Sequence, residues 1–186
     1  KWQENDYYRM NYTFFANTGM TGLTHTRLFK NQSWMKTIVA VSATDNGDGA
    51  EELQNDYSTT KKIFDERFLQ KKITLSSVYT RKLTPRSSYR MGVIVNHLKY
   101  ELFMKEYIDS LDLLQTKIES DGNYQTVQAF GQWNYKPGEK WSANAGLHFI
   151  RLFLNGSQSI EPRASLRYEM NPRHSFTLGY GLHSQV

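Results

Sequence analysis

The chain has 186 residues, 23 Lys and Arg against 18 Asp and Glu for a net charge of +5, no cysteine, and a mean hydropathy of −0.65. The length suits one domain or part of a larger one. The missing cysteine excludes a disulfide framework and cysteine-ligated zinc or iron–sulfur sites, and no apolar run reaches the roughly 18 residues that a membrane helix needs.

In chain order, residues 1–19 are a leading segment without a clear pattern, and residues 20–185 divide into about four hairpins. Extended runs at 20–29 and 34–44 flank the turn Lys30-Asn31-Gln32-Ser33, with Trp34 just after it. Residues 45–70 are rich in Asp, Asn, Gly and Glu and predict a long connection. Within it, Asp45-Asn46-Gly47-Asp48-Gly49 followed by Glu51 and Glu52 offers hard oxygen donors but lacks the EF-hand ligand order, so a solvated acidic loop is expected. Tyr57–Gln70 fits either the outer part of a long strand or a short helix.

Strands at 71–83 and 88–104 flank Thr84-Pro85-Arg86-Ser87. Ile73, Leu75, Tyr79 and Leu83 share a face with Ser77 and Arg81, and the alternation of Met91, Val93 and Val95 gives way to His97 and Lys99, as expected of strands that project beyond an oily layer. A second long connection is predicted over 105–122.

The pattern is cleanest from 123 onward. Strands at 123–136 and 140–152 flank Lys136-Pro137-Gly138-Glu139-Lys140, a loop is predicted at 153–159, and strands at 159–171 and 174–185 flank Asn171-Pro172-Arg173-His174. Val127, Ala129, Gly131, Trp133 and Tyr135 oppose Thr126, Gln128, Phe130, Gln132 and Asn134, and Trp141, Ala143, Ala145, Leu147 and Phe149 oppose Ser142, Asn144, Gly146 and His148. Ile160, Pro162, Ala164, Leu166, Tyr168 and Met170 oppose Glu161, Arg163, Ser165, Arg167 and Glu169. Phe176, Leu178, Tyr180 and Leu182 oppose Ser175, Thr177, Gly179, Gly181 and His183. Period two makes each a strand with one oily and one polar face.

Short and long links alternate, so all tight turns are expected at one end. The fold class that follows is all-β, an antiparallel up-and-down meander of about eight strands, either a segment or a small closed form of an outer-membrane β-barrel. Trp34, Trp133, Tyr135 and Trp141 beside the turns fit an interfacial aromatic girdle. A soluble β-sandwich module is the alternative.

No residue pattern points to bond chemistry. The five histidines show no metal-ligand spacing, and neither GxSxG nor a phosphate-cradling glycine loop occurs, so no catalytic, metal or cofactor site is expected. The bases Arg81, Lys82, Arg86, Arg90, Lys136, Lys140 and Arg173 lie scattered at turns, which argues against nucleic acid. Candidate solute contacts are polar-face residues Glu161, Arg163, Arg167, Glu169, Gln128, Gln132, Asn144 and His148; ion pairs between neighbours of the Glu161–Glu169 row are the structural alternative. Tyr107, Asp109, Asp112, Glu119 and Asp121 are candidates on an exposed loop.

The continuous run from Ser159 to Gln185, with Glu161-Pro162-Arg163 near its start and Tyr180-Gly181-Leu182-His183-Ser184-Gln185 at its end, resembles the C-terminal-side portion of the barrel of TonB-dependent outer-membrane receptors of the Bacteroidetes type. Val127–Trp133, Trp141–Leu147 and Leu75–Leu83 are similar to neighbouring hairpins of that family. The resemblance implies a Gram-negative outer-membrane location and import of a solute such as a siderophore, cobalamin, glycan or peptide. It also implies outer-membrane lipid, a plug domain and the TonB complex as partners through a longer parent protein. No plug is visible in these residues, and the start at Lys1 and stop at Val186 read as a piece cut from a longer chain. A complete small barrel acting as pore, adhesin or lipid-handling protein is the competing reading. An excised segment would expose two bare strand edges, open to pairing with another copy.

Overall fold

A computed structural model describes residues 9–55 and 58–184. Residues 1–8 of the leading segment, Tyr57 at the start of the ambiguous stretch, and Gln185 lie outside the described residues. Eight strands follow one another: β1 (Met10–Phe29), β2 (Ser33–Leu53), β3 (Thr60–Thr84), β4 (Ser87–Ile108), β5 (Leu113–Tyr135), β6 (Trp141–Leu152), β7 (Gln158–Asn171) and β8 (His174–Gly181). They form one antiparallel up-and-down sheet in the order β1 to β8. Among the described residues no second layer covers the sheet, so the sandwich alternative has no partner face here.

Every predicted tight turn is present, and side-chain turn chemistry explains three of the four. Asn31 takes the Ser33 hydroxyl while Gln32 adopts φ 57°, the Thr84 hydroxyl accepts from Arg86 N at 3.2 Å, and Asn171 Oδ1 accepts from Arg173 N at 3.0 Å and His174 N at 2.9 Å. Backbone bonds join each turn to the next hairpin: Lys82 N to Gln32 O (3.2 Å), Lys136 N to Arg86 O (2.8 Å) and Glu169 N to Lys140 O (2.7 Å). The four bends therefore gather at one rim.

The long connections are corrected. β2 continues to Leu53 and β3 begins at Thr60, while β4 ends at Ile108 and β5 begins at Leu113 after a short 3₁₀ turn, Asp109–Leu111. The expected loops 45–70 and 105–122 are thus mostly strand, and Tyr107, Glu119 and Asp121 sit on strands rather than in a loop. Ladder hydrogen bonds are made by the backbone whatever the side chain, so a polar, glycine-containing segment with a paired neighbour stays extended. The glycines of the expected acidic loop serve packing: the Phe15 ring occupies the space over Gly47, and a Cβ on Gly49 would lie 2.8 Å from Thr13 Oγ1. β1 likewise begins at Met10, ten residues ahead of the expected 20 in sequence. The 20–25 residues of each of β1 to β5 exceed the roughly 9–11 that carry a strand across a bilayer.

The chain forms two compact units. One comprises the residues up to Thr21, Val41–Lys72 and Leu98–Asn123; the other comprises Gly22–Ala40, Ile73–His97 and the residues from Tyr124 on. In the second unit the predicted faces hold across three ladders. Trp133 pairs with Ala145, Ala145 with Ala164, and Ala164 with Tyr180; Ala143 pairs with Leu166 and Leu166 with Leu178. Directly opposed residues share a face, so oily meets oily along these rows, until Val127 pairs with Arg151 and Arg151 with Gln158 at the far end. That face is not enclosed: Trp133 is 49% exposed, Leu166 43% and Leu178 76%. Among the described residues the buried apolar side chains are only Ala50, Val78 and Leu98.

Candidate functional site

The opposite face of β5 to β8 carries the polar candidates. Gln132 pairs with Gly146 and Gly146 with Arg163, while Asn134 pairs with Asn144 and Asn144 with Ser165. Because position 146 has no side chain, a groove of about 460 Å³ opens there, bounded by Phe130, Gln132, Asn144, His148, Arg163 and Ser165. Asn144 Nδ2 donates to Ser165 Oγ at 3.1 Å along its floor.

Glu161 sits at one end of this face, only 4% exposed. Its Oε2 accepts from Arg163 Nη2 at 2.7 Å and faces His148 Nδ1 at 3.1 Å; its Oε1 accepts from Ser184 N at 3.0 Å and Ser184 Oγ at 2.9 Å. His148 Nε2 meets the Gln128 amide at 3.3 Å, and Arg163 Nη2 also lies 3.4 Å from His183 Nδ1. A nearly buried carboxylate with all its lone pairs answered is a rigid structural knot. Nearer the tight turns, Arg167 and Glu169 form a separate pair at 3.1 Å. Both neighbour pairs expected along the row are therefore formed. Gln132, Asn144, His148 and Arg163 converge on the groove, Gln128 and Glu161 stand behind His148, and Arg167 with Glu169 lies apart. His183 was placed on the polar face of the last strand but not among the candidates, and Ser184 was not singled out, because it meets Glu161 from 23 positions away in sequence.

The other five candidates belong to the first unit and split in two. Tyr107 Oη donates to the Asp112 carboxylate, and Lys61 Nζ lies 3.1 Å from Asp112 Oδ1 and 3.3 Å above the Tyr107 ring. The Tyr107 hydroxyl, then Lys61, hold the Asp112 carboxyl below the usual aspartate range. Asp109 contributes its carbonyl, which accepts from Asp112 N at 3.3 Å and closes the turn. Glu119 and Asp121 line a groove of about 670 Å³ with Phe15, Arg67, Glu101 and Phe103. Arg67 grips Asp45 with two bonds of 2.8 Å and lowers the Asp45 carboxyl in the same sense. Lys61 and Arg67 were missed in the sequence because their partners are distant in it, Asp112 in the turn between β4 and β5 and Asp45 on β2.

Among the described residues no three His, Asp or Glu side chains converge as a metal site, and no helix is long and apolar enough to cross a membrane.

No family model and no curated protein matches the sequence. Solved structures do match in fold. The ferric-catecholate import receptor Fiu from E. coli K12 superposes with a TM-score of 0.63 at 10% identity, over 92% of this chain and 30% of that one. The pyoverdine outer membrane receptor FpvA from Pseudomonas aeruginosa PAO1 gives 0.68 at 10% identity, over 89% and 29%. The copper transporter OprC gives 0.68 at 10% identity, over 93% and 31%. The chain thus spans about a third of the length of the structures that it resembles.

Proposed function

We propose that this chain is part of the barrel wall of a Gram-negative outer-membrane receptor that imports a solute, and that it performs no bond chemistry. The single observation that carries the reading is the apolar face of β5 to β8. From the level of Trp141 to that of Phe149 it is apolar across three ladders, exposed, and backed by a face of charges and amides. A one-layer sheet of this kind needs oil on one side and water on the other, which a barrel standing in lipid supplies.

In this reading residues 1–186 are one barrel segment, and outer-membrane lipid covers the Trp133–Leu166–Leu178 face. Gln128, Gln132, Asn144, His148, Arg163, Arg167, Glu161 and Glu169 line the water-filled interior. Tyr107, Asp109, Asp112, Glu119 and Asp121 stand where an incoming solute first meets the protein. A longer parent of the Bacteroidetes type would add the plug and the segment that engages TonB, and the solute would be a siderophore, cobalamin, glycan or peptide. The fold likeness to import receptors supports the wall assignment.

Membrane fractionation tests this directly. The protein carrying these residues is expected in the outer-membrane fraction, released by detergent and not by salt or alkaline wash. Recovery as a monodisperse species in detergent-free buffer would overturn the reading.

A further inference from the structure

On the apolar face of the second unit, two neighbouring rows set alanines between large side chains. One runs Trp133–Ala145–Ala164–Tyr180 and the next, nearer the turns, Tyr135–Ala143–Leu166–Leu178. The three alanines leave a recess of about 350 Å³, walled by Trp133 and Tyr135 on one side and by Leu166, Leu178 and Tyr180 on the other. Its first wall is fixed: Trp133 stacks on Tyr135 at 5.3 Å, and its indole N–H donates to Ser87 Oγ at 2.9 Å. Toward the turns, Trp141 and Tyr168, paired across β6 and β7 with ring centres 4.5 Å apart, stand at the mouth of the recess.

Just past that mouth the chain is basic. Lys136 and Lys140 bracket the Pro137–Gly138 turn against one acid, Glu139, and the Arg86 guanidinium reaches the Pro137 carbonyl at 3.5 Å. Lys140 precedes Ala143 by about 10 Å of extended chain. Both lysines are exposed, and among the described residues neither forms an ion pair.

We infer that this wall holds one anionic phospholipid: an acyl chain lies in the Ala143–Ala145–Ala164 recess, and the phosphate-bearing headgroup meets Lys136 and Lys140. The shape selects the occupant. At the Ala143 level the recess is one residue wide, so Tyr135 and Leu166 stand on backbones two strand spacings, about 10 Å, apart. An α-helix of a protein partner is itself about 10 Å across, whereas a hydrocarbon chain lies flat between the two side chains. The charge selects the headgroup, since an apolar recess opening on unpaired lysines complements an oily tail with a negative end. General lipid cover needs neither feature; walls formed in advance lower the cost of ordering one particular chain.

The inference rests on the wall reading and can fail separately from it. The protein carrying these residues is purified in detergent and offered phosphatidylglycerol or phosphatidylcholine, and retained lipid is read by native mass spectrometry. One phosphatidylglycerol is expected to survive activation that strips phosphatidylcholine. Lys136→Gln with Lys140→Gln should weaken that retention roughly tenfold. Ala145→Leu with Ala164→Leu, which fills the recess, should abolish it. Equal retention of the two lipids, or unchanged retention in the filled variant, overturns the site. So does a filled variant that loses a dimer instead of a lipid, which makes a second copy the occupant. Flotation with vesicles separates the two readings: a protein that floats but keeps no phosphatidylglycerol has the wall without the site, and one that does not float has neither. Should the filled variant misfold, phosphatidylglycerol with a carbene precursor on its acyl chain is applied to the unmodified protein. Labelling at Trp133, Ala145 or Leu166 that excess phosphatidylglycerol suppresses and phosphatidylcholine does not supports the site, and any other pattern overturns it.

Discussion

The ring of Phe130 on β5 fills the space above Gly92 on β4: a Cβ built on Gly92 would lie 2.7 Å from Phe130 Cε1 and 3.0 Å from Ser77 O. Arg90 adds its guanidinium 5.7 Å from the ring centre. An aromatic side chain on the polar face is thereby folded down onto the sheet instead of standing in water.

Gly92→Ala is therefore expected to destabilise by about 1–3 kcal/mol through overpacking. Phe130→Leu introduced alongside should recover part of the loss, since the ring edge is removed but the Ser77 carbonyl stays. Urea unfolding of the detergent-solubilised protein, comparing the two single variants with the double, measures this coupling.

Leu166 opposes Ala143 and Leu178 on the apolar face, whereas Ser165 opposes Asn144 and Gly179 on the other. Leu166→Arg should cost up to about 2–4 kcal/mol in vesicles, depending on depth. Ser165→Arg should change stability far less. Equal effects from the two would contradict opposite solvents on the two faces.

Glu161 ties the residues after β8 to β7 through Ser184. Glu161→Ala removes both acceptors, so amide exchange at Ser184 is expected to speed up, with Glu161→Gln intermediate because its amide oxygen still accepts. Exchange rates by mass spectrometry give the ranking, and an unchanged Ser184 rate in Glu161→Ala would show that the strand end is held by other means.

Asp112 lies in the turn between β4 and β5 with its side chain 89% exposed, where pH acts directly. Its folded carboxyl sits below the ordinary aspartate value of 3.8, through the Tyr107 hydroxyl and Lys61. The contribution is thus fully present above that value and is lost as pH falls through the lowered one. Acidification below the usual carboxylate range should loosen the β4–β5 tip, read as faster exchange around Asp109–Asp112, and Asp112→Asn should abolish that pH step.

Strand identity and face were legible in the chain because both depend on near neighbours. The swap of oily and polar side chains from Val127 to Leu182 specifies which way each residue points, and Asn171, Pro137 and Pro85 carry turn chemistry within their own few residues. The ladders then kept those faces aligned, since a slip of one residue would have turned Leu166 against Ser165's neighbours. Strand length was not legible. Asp45 to Gly49 has the composition of a loop, and only Phe15 over Gly47 and Arg67 on Asp45 show it to be sheet; Lys61 and Asp112 meet across 51 positions of sequence. Period and turn chemistry act within a few residues, whereas backbone pairing and ion pairs between distant strands exist only once the chain has brought them side by side.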